Sequence, residues 1–256
     1  GKAIASTVSD YDNSYQDFVS MISVFSQKYG QVVGSDIFSN KKDSEIPTFE
    51  NLVRLLGLED VVFTMDALHC QKDTLNTIVG TDNDYVVKVK ANQPTLLNSL
   101  IRNSETSEPL DIFETSEINR GRLETRETSV FGLPPDLPEG WPGVSRVICV
   151  RRLFEKSGDI HSTTSFYISS PESDSAELFA QGIRGHRHVE NRLHYVKDVI
   201  MNEDGSGIRN QNAAANMSLF RNIVINVLRG NGFDSVKAAA PFMAANLPKL
   251  YDLLRT

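Results

Sequence analysis

The sequence predicts an α/β fold, and three observations carry that prediction. Residues 17–104 alternate extended and helical patterns, the mark of layered helices on a sheet. Residues 105–170 change to closely spaced strand patterns, an antiparallel block inserted between the alternating elements or extending them. From residue 171 onward, apolar side chains recur at helical spacing. The chain therefore divides into three regions: residues 1–104, 105–170 and 171–256.

In order, residues 17–25 and 31–38 alternate apolar and polar side chains around Tyr29-Gly30, a hairpin signal. Residues 39–45 read as polar loop. Ile46-Pro47 then opens a helical pattern through Phe49, Leu52, Val53, Leu55 and Leu56; Pro47 suits a first helical position and Gly57 the cap after the last. The short apolar run Val61-Val62-Phe63-Thr64-Met65 predicts a buried strand that stops at Asp66. A helix follows over 72–79. Tyr85-Val86-Val87-Lys88-Val89-Lys90 predicts a strand with both lysines on one face, and a helix covers 95–101. Strands are predicted over 120–130, 146–154 and 163–169, with a proline-rich loop at 133–142. The helical third comprises 175–184, 188–199, 213–228 and one or two helices over 234–256, broken at Pro241 and Pro248.

Composition narrows the class. Of the 256 residues, 40% are apolar and 23% charged, which suits a soluble globular protein. No apolar run approaches the ~20 residues that span a membrane, and no secretory pattern opens the chain. Two cysteines, Cys70 and Cys149, make neither a disulfide framework nor a zinc site, so a reducing, cytoplasmic setting is expected. The net charge of −7 argues against broad electrostatic binding of nucleic acid, while leaving room for local basic patches.

Chemistry concentrates in few places. Asp66 ends a buried strand, where open α/β sheets place their ligand crevice, and its carboxylate there can hold a metal; the same position also suits a helix cap or turn. Glu190, Leu193 and Lys197 are spaced at three and four, so an α-helix would put them on one face. That face reads either as an acid and a base beside a crevice or as an ion-paired, solvated surface. His186, His188 and His194 lack the HExxH order of zinc proteases. Arg120, Arg122 and Arg126 alternate along a strand and either track phosphates or protect a solvated edge; Lys88 and Lys90 carry the same two readings. Neither a GxxxxGK nor a GxGxxG phosphate loop is present.

Several segments, in order, resemble one family: MDALHCQK at 65–72, DYVVKVKANQP at 84–94, GRLETRE at 121–127, FYISS at 166–170, GHRHVENRLHYVKDV at 185–199 and NEDGSGIR at 202–209. They are similar to the bacterial insertion-sequence transposases of the H-repeat-associated type, which are DDE transposases. The resemblance runs from Gly1 to about Leu228.

The resemblance implies a ribonuclease-H-like mixed sheet flanked by helices, with a β-rich insertion before the glutamate-bearing helix. It also implies a metal-dependent enzyme that cleaves and transfers DNA strands with Mg2+ or Mn2+, hard ions that prefer carboxylate oxygens. Two such ions, about 4 Å apart, would activate the attacking oxygen and stabilise the leaving one. Asp66 matches the family's second aspartate and Glu190 its glutamate; Lys197 matches the lysine that follows. Ile183 and His186 depart from the tyrosine and arginine of the wider group's signature, which shifts phosphate handling toward Arg187 or Arg192. Candidate DNA contacts are thus Lys88, Lys90, Asn92, Arg120, Arg122, Arg126, Arg187, Arg192 and Lys197. The family's first aspartate, which precedes Gly-Lys, would fall just before Gly1, with the strand that carries it and a helical N-terminal region. Asp10 and Asp12 lie near but do not match its context, so the chain is expected to be incomplete as a catalyst unless Asp198 or Glu203 substitutes. Partners implied are DNA ends, target DNA and further copies of the chain, at the nucleoid. The alternatives are a non-catalytic DNA-binding relic and a metal-dependent nuclease in which water alone attacks.

Overall fold

The computed structural model describes residues 2–9, 19–39, 42–119, 122–156, 159–203, 205–208 and 211–253. Asp10, Asp12, Arg120 and the side chains of Arg122 and His188 lie outside them. The chain forms two compact units: 58–184, and 2–57 joined with 185–256.

The second unit opens with three antiparallel strands, β1 (Lys2–Ser9), β2 (Val19–Ser26) and β3 (Gln31–Ser39). The predicted hairpin is β2–β3, turning at Gly30 with φ +66°. β1 was not anticipated. Helix α1 (Lys42–Leu56) starts inside the stretch read as loop. Pro47 lies within that helix and not at its first position.

The first unit begins with β4 (Val61–Met65), a short 3₁₀ turn (Ala67–His69) and α2 (Lys72–Val79), followed by β5 (Asp84–Val89) and α3 (Pro94–Thr106). β4 and α2 fall where the sequence places them. Four antiparallel strands follow: β6 (Asp111–Asn119), β7 (Arg122–Phe131), β8 (Arg146–Lys156) and β9 (Asp159–Ser169). The order within this mixed sheet is β4-β5-β9-β8-β7-β6. β4 and β5 run parallel; β5 and β9 are antiparallel. β6 was not anticipated. Helix α4 (Ala176–Val189) lays Ala176 and Phe179 on one face of the sheet, against Val86, Val130 and Ile148. Side chains alternate across a strand, so Tyr85, Val87 and Val89 point to the other face, and α2 and α3 lie against β5 and β9 respectively.

At Gly185 the chain passes into the second unit. Two π-helical turns, Glu190–His194 and Val196–Ile200, continue α4. Their i+5 bonds are explicit: the Tyr195 N–H donates to the Glu190 carbonyl and the Met201 N–H to that of Val196. α5 (Gln211–Gly230), α6 (Val236–Ala244) and α7 (Leu247–Leu253) complete the unit. Pro241 lies inside α6 and does not break it. Phe25, Val189, Leu193, Ile225 and Met243 share its core. Among the described residues, no helix is long and apolar enough to cross a membrane.

Candidate active site

The setting of Asp66 grows from the start of β4. Asn83 is buried and spends its amide on backbone: its Oδ1 accepts from the Val61 N–H at 3.2 Å, and its Nδ2 donates to the Leu58 and Thr81 carbonyls at 2.6 and 2.7 Å. This ties the entry of β4 to that of β5. Val61, Phe63 and Met65 are then buried, and the chain emerges at Asp66, whose side chain is 58% exposed. Asp66 caps the 3₁₀ turn, its Oδ1 accepting from the Ala67 N–H at 2.5 Å. The capping reading of this residue therefore holds, and it is compatible with an exposed carboxylate at the carboxyl end of a parallel strand.

The loop after β5 braces that turn. Asn92 Nδ2 donates to the Ala67 carbonyl at 2.7 Å and Gln93 Nε2 to the Cys70 carbonyl at 2.9 Å. Asn92, read as a DNA contact, thus has an amide donor committed to the backbone beside Asp66. The signal for Gln93 is an amide pair separated from β5 by two residues. Lys90 brings its ammonium to 3.4 Å from Asp66 Oδ1. Lys88, one alternation earlier, is half-buried above the Tyr167 ring.

Glu190 belongs to the other unit. Glu190 is exposed at the start of the π-helical turns, while Leu193 and Lys197 are fully buried. The shared α-helical face is therefore corrected: π winding takes about 4.4 residues per turn and rotates position 197 away from position 190. Lys197 donates to Ser218 Oγ at 2.6 Å and its ammonium lies 3.3 Å from Glu203 Oε2; Arg221 approaches the other carboxylate oxygen at 3.3 Å. Lys197 is thus enclosed, not displayed to phosphate, and burial lowers its pKa. Glu203, weighed as a substitute metal ligand, is committed to this pair of cations; Asp198 is half-buried on the same turns. His194 is pushed down to about 4, first by burial and then by the Lys197 charge. Arg192 sits 3.6 Å from Asp234, and its backbone carbonyl accepts from Arg229. Arg187 is exposed.

On β7, Arg126 is not displayed either. It and Arg152 clasp the buried Glu124 carboxylate, which they hold near 2. Among the described residues, no three His, Cys, Asp or Glu side chains gather as a metal-holding group. Asp66 and Glu190 nevertheless offer exposed oxygen donors, the chemistry that Mg2+ and Mn2+ take.

A mixed sheet flanked by helices is the architecture of the ribonuclease-H-like class. The chain belongs to the Transposase DDE domain family, whose profile matches residues 5–227. It is 36% identical over 222 residues to YncI of Escherichia coli O157:H7, covering 82% of this chain and 56% of that protein. To the H repeat-associated protein YhhI of Escherichia coli strain K12 it is 36% identical over 231 residues, covering 85% of this chain and 60% of that one. Both carry provisional transposase names, and the chain spans less than two thirds of either. The cryo-EM structure of the piggyBac transposase synaptic complex with hairpin DNA superposes with a TM-score of 0.50 at 8% identity, covering 94% of this chain and 48% of that chain. This is a likeness of fold alone.

Proposed function

We propose that this chain supplies the catalytic region of a DNA transposase, which cleaves DNA strands at the ends of a mobile element and joins them to target DNA. Membership of the Transposase DDE domain family over residues 5–227 is the observation that carries the reading. Asp66 and Glu190 are the carboxylates that would hold Mg2+ or Mn2+. The bound ion would supply Lewis-acid activation of the attacking oxygen and charge stabilisation at phosphorus. The chain's own residues do the rest. Asn83 fixes the strand that ends in Asp66, the Asn92 and Gln93 amides fix the turn behind it, and the π-helical turns present Glu190 to solvent. Lys90, exposed beside Asp66, can steer a polyanion toward that acid.

Strand cleavage by the full-length transposase that contains this region, on DNA carrying the element's ends with Mn2+ or Mg2+, tests this. Asp66→Asn and Glu190→Gln should each abolish cleavage and leave the unfolding transition in place. Full activity in Asp66→Asn would refute the assignment. The alternative of metal-independent binding through Arg120, Arg122 and Arg126 is weakened, because Arg126 is spent on Glu124.

A further inference from the structure

We propose that Lys90 is an exchangeable counter-ion: its ammonium neutralises Asp66 until a divalent metal arrives, and is then released to a DNA phosphate. The inference rests on Asp66 being a metal ligand. Three observations support it. The backbone around Lys90 is fixed, because the Gln93 N–H donates to the Lys90 carbonyl at 3.0 Å and the Asn92 and Gln93 amides anchor the loop to the 3₁₀ turn. The side chain is not fixed in the same way, since it is 53% exposed and ends in a compact cation on a four-carbon stem. Its 3.4 Å approach to Asp66 Oδ1 is longer than a charge-assisted hydrogen bond, which spans about 2.7–2.9 Å.

An exposed pair of this kind is weak and yields to direct coordination by a doubly charged ion. The freed ammonium remains at the carboxyl end of β5, beside the acid where the reacting phosphate would lie. Metal loading therefore adds one cation to the DNA-facing surface. By reciprocity, DNA that takes up Lys90 tightens the metal. Lys90 differs in this from Arg126 and Lys197, whose charges are committed to buried carboxylates.

The test is a Mn2+ titration of the full chain, followed by electron paramagnetic resonance of the free ion, for the parent, Asp66→Asn and Lys90→Met. It is paired with binding of a labelled random-sequence duplex across a salt series, with and without Mn2+. Lys90→Met should bind Mn2+ about two- to five-fold tighter, the scale of a lost exposed ion pair. The slope of log affinity against log salt should fall by about 0.9 in Lys90→Met with Mn2+ present and stay unchanged without it. Mn2+ affinity that is unchanged, weaker or undetectable in Lys90→Met would overturn the exchange, as would a slope that falls equally in both conditions. Mn2+ binding unaltered by Asp66→Asn would instead strike the parent reading of Asp66. Binding lost in Asp66→Asn, with no gain in Lys90→Met, would strike the exchange alone.

Discussion

Replacing Lys197 by methionine is the sharpest probe of how the glutamate-bearing segment is held. Lys197 and Glu203 have side chains 2% and 1% exposed, so their charges answer to each other and to Arg221, not to water. Removing one partner of a buried pair costs about 3–5 kcal/mol, because the survivor stays charged in a poor solvent. Here Arg221 still faces Glu203 at 3.3 Å, which places the loss near the lower end, about 3 kcal/mol. At about 2 kcal/mol per molar urea, the unfolding midpoint followed by circular dichroism should drop by roughly 1.5 M. Adding Glu203→Gln to Lys197→Met should deepen that loss, since Arg221 is then the buried charge left without its carboxylate. A midpoint within about 0.3 M of the parent would refute the argument. Such a result, joined to a reduced salt dependence of DNA binding, would restore Lys197 as a phosphate contact.

Two further outcomes follow from the same geometry. His194 falls from its usual 6.5 to about 4 in the folded chain, so the unfolded chain binds more protons between those values. Stability should hold above about pH 6.5 and decline by up to about 3 kcal/mol as pH falls toward 4, and His194→Gln should flatten that part of a stability–pH profile. Asn83→Ala strands the Val61 N–H and two carbonyls, costing about 2–3 kcal/mol; hydrogen exchange should show the Val61 amide losing protection.

The parts legible in the sequence are those set by local pattern. β4 and α2 could be read because Val61–Met65 is buried at every position but the half-buried Val62 and ends at a capping acid, so run length and boundary agree. α1 was misplaced at its start because Pro47 signals a first turn, yet a helix begun at Lys42 tolerates it. β6 escaped because it forms one edge of the first unit's sheet: its exposed positions include Glu114 and Ser116, and polar side chains dilute the apolar alternation. The candidate acids were visible through the family resemblance, and the exposure of Asp66 and Glu190 suits that role. The fates of the nearby cations were not visible. Whether Arg126 or Lys197 meets phosphate or a buried carboxylate depends on Glu124 and Glu203, and for Lys197 on π winding that no residue spacing announces.

The division of the chain also carries a consequence for synthesis. The unit spanning 58–184 is continuous, and its strands β6 to β9 pair with their sequence neighbours, so short loops close first at little entropic cost. It can complete itself while the chain is still leaving the ribosome. The other unit cannot, because Phe25 and Val32 share a core with Val189, Leu193 and Ile225, which are made much later. Its first strands wait with apolar surface uncovered until α5 emerges. That interval is when a truncated or stalled product would be most exposed to aggregation and proteolysis.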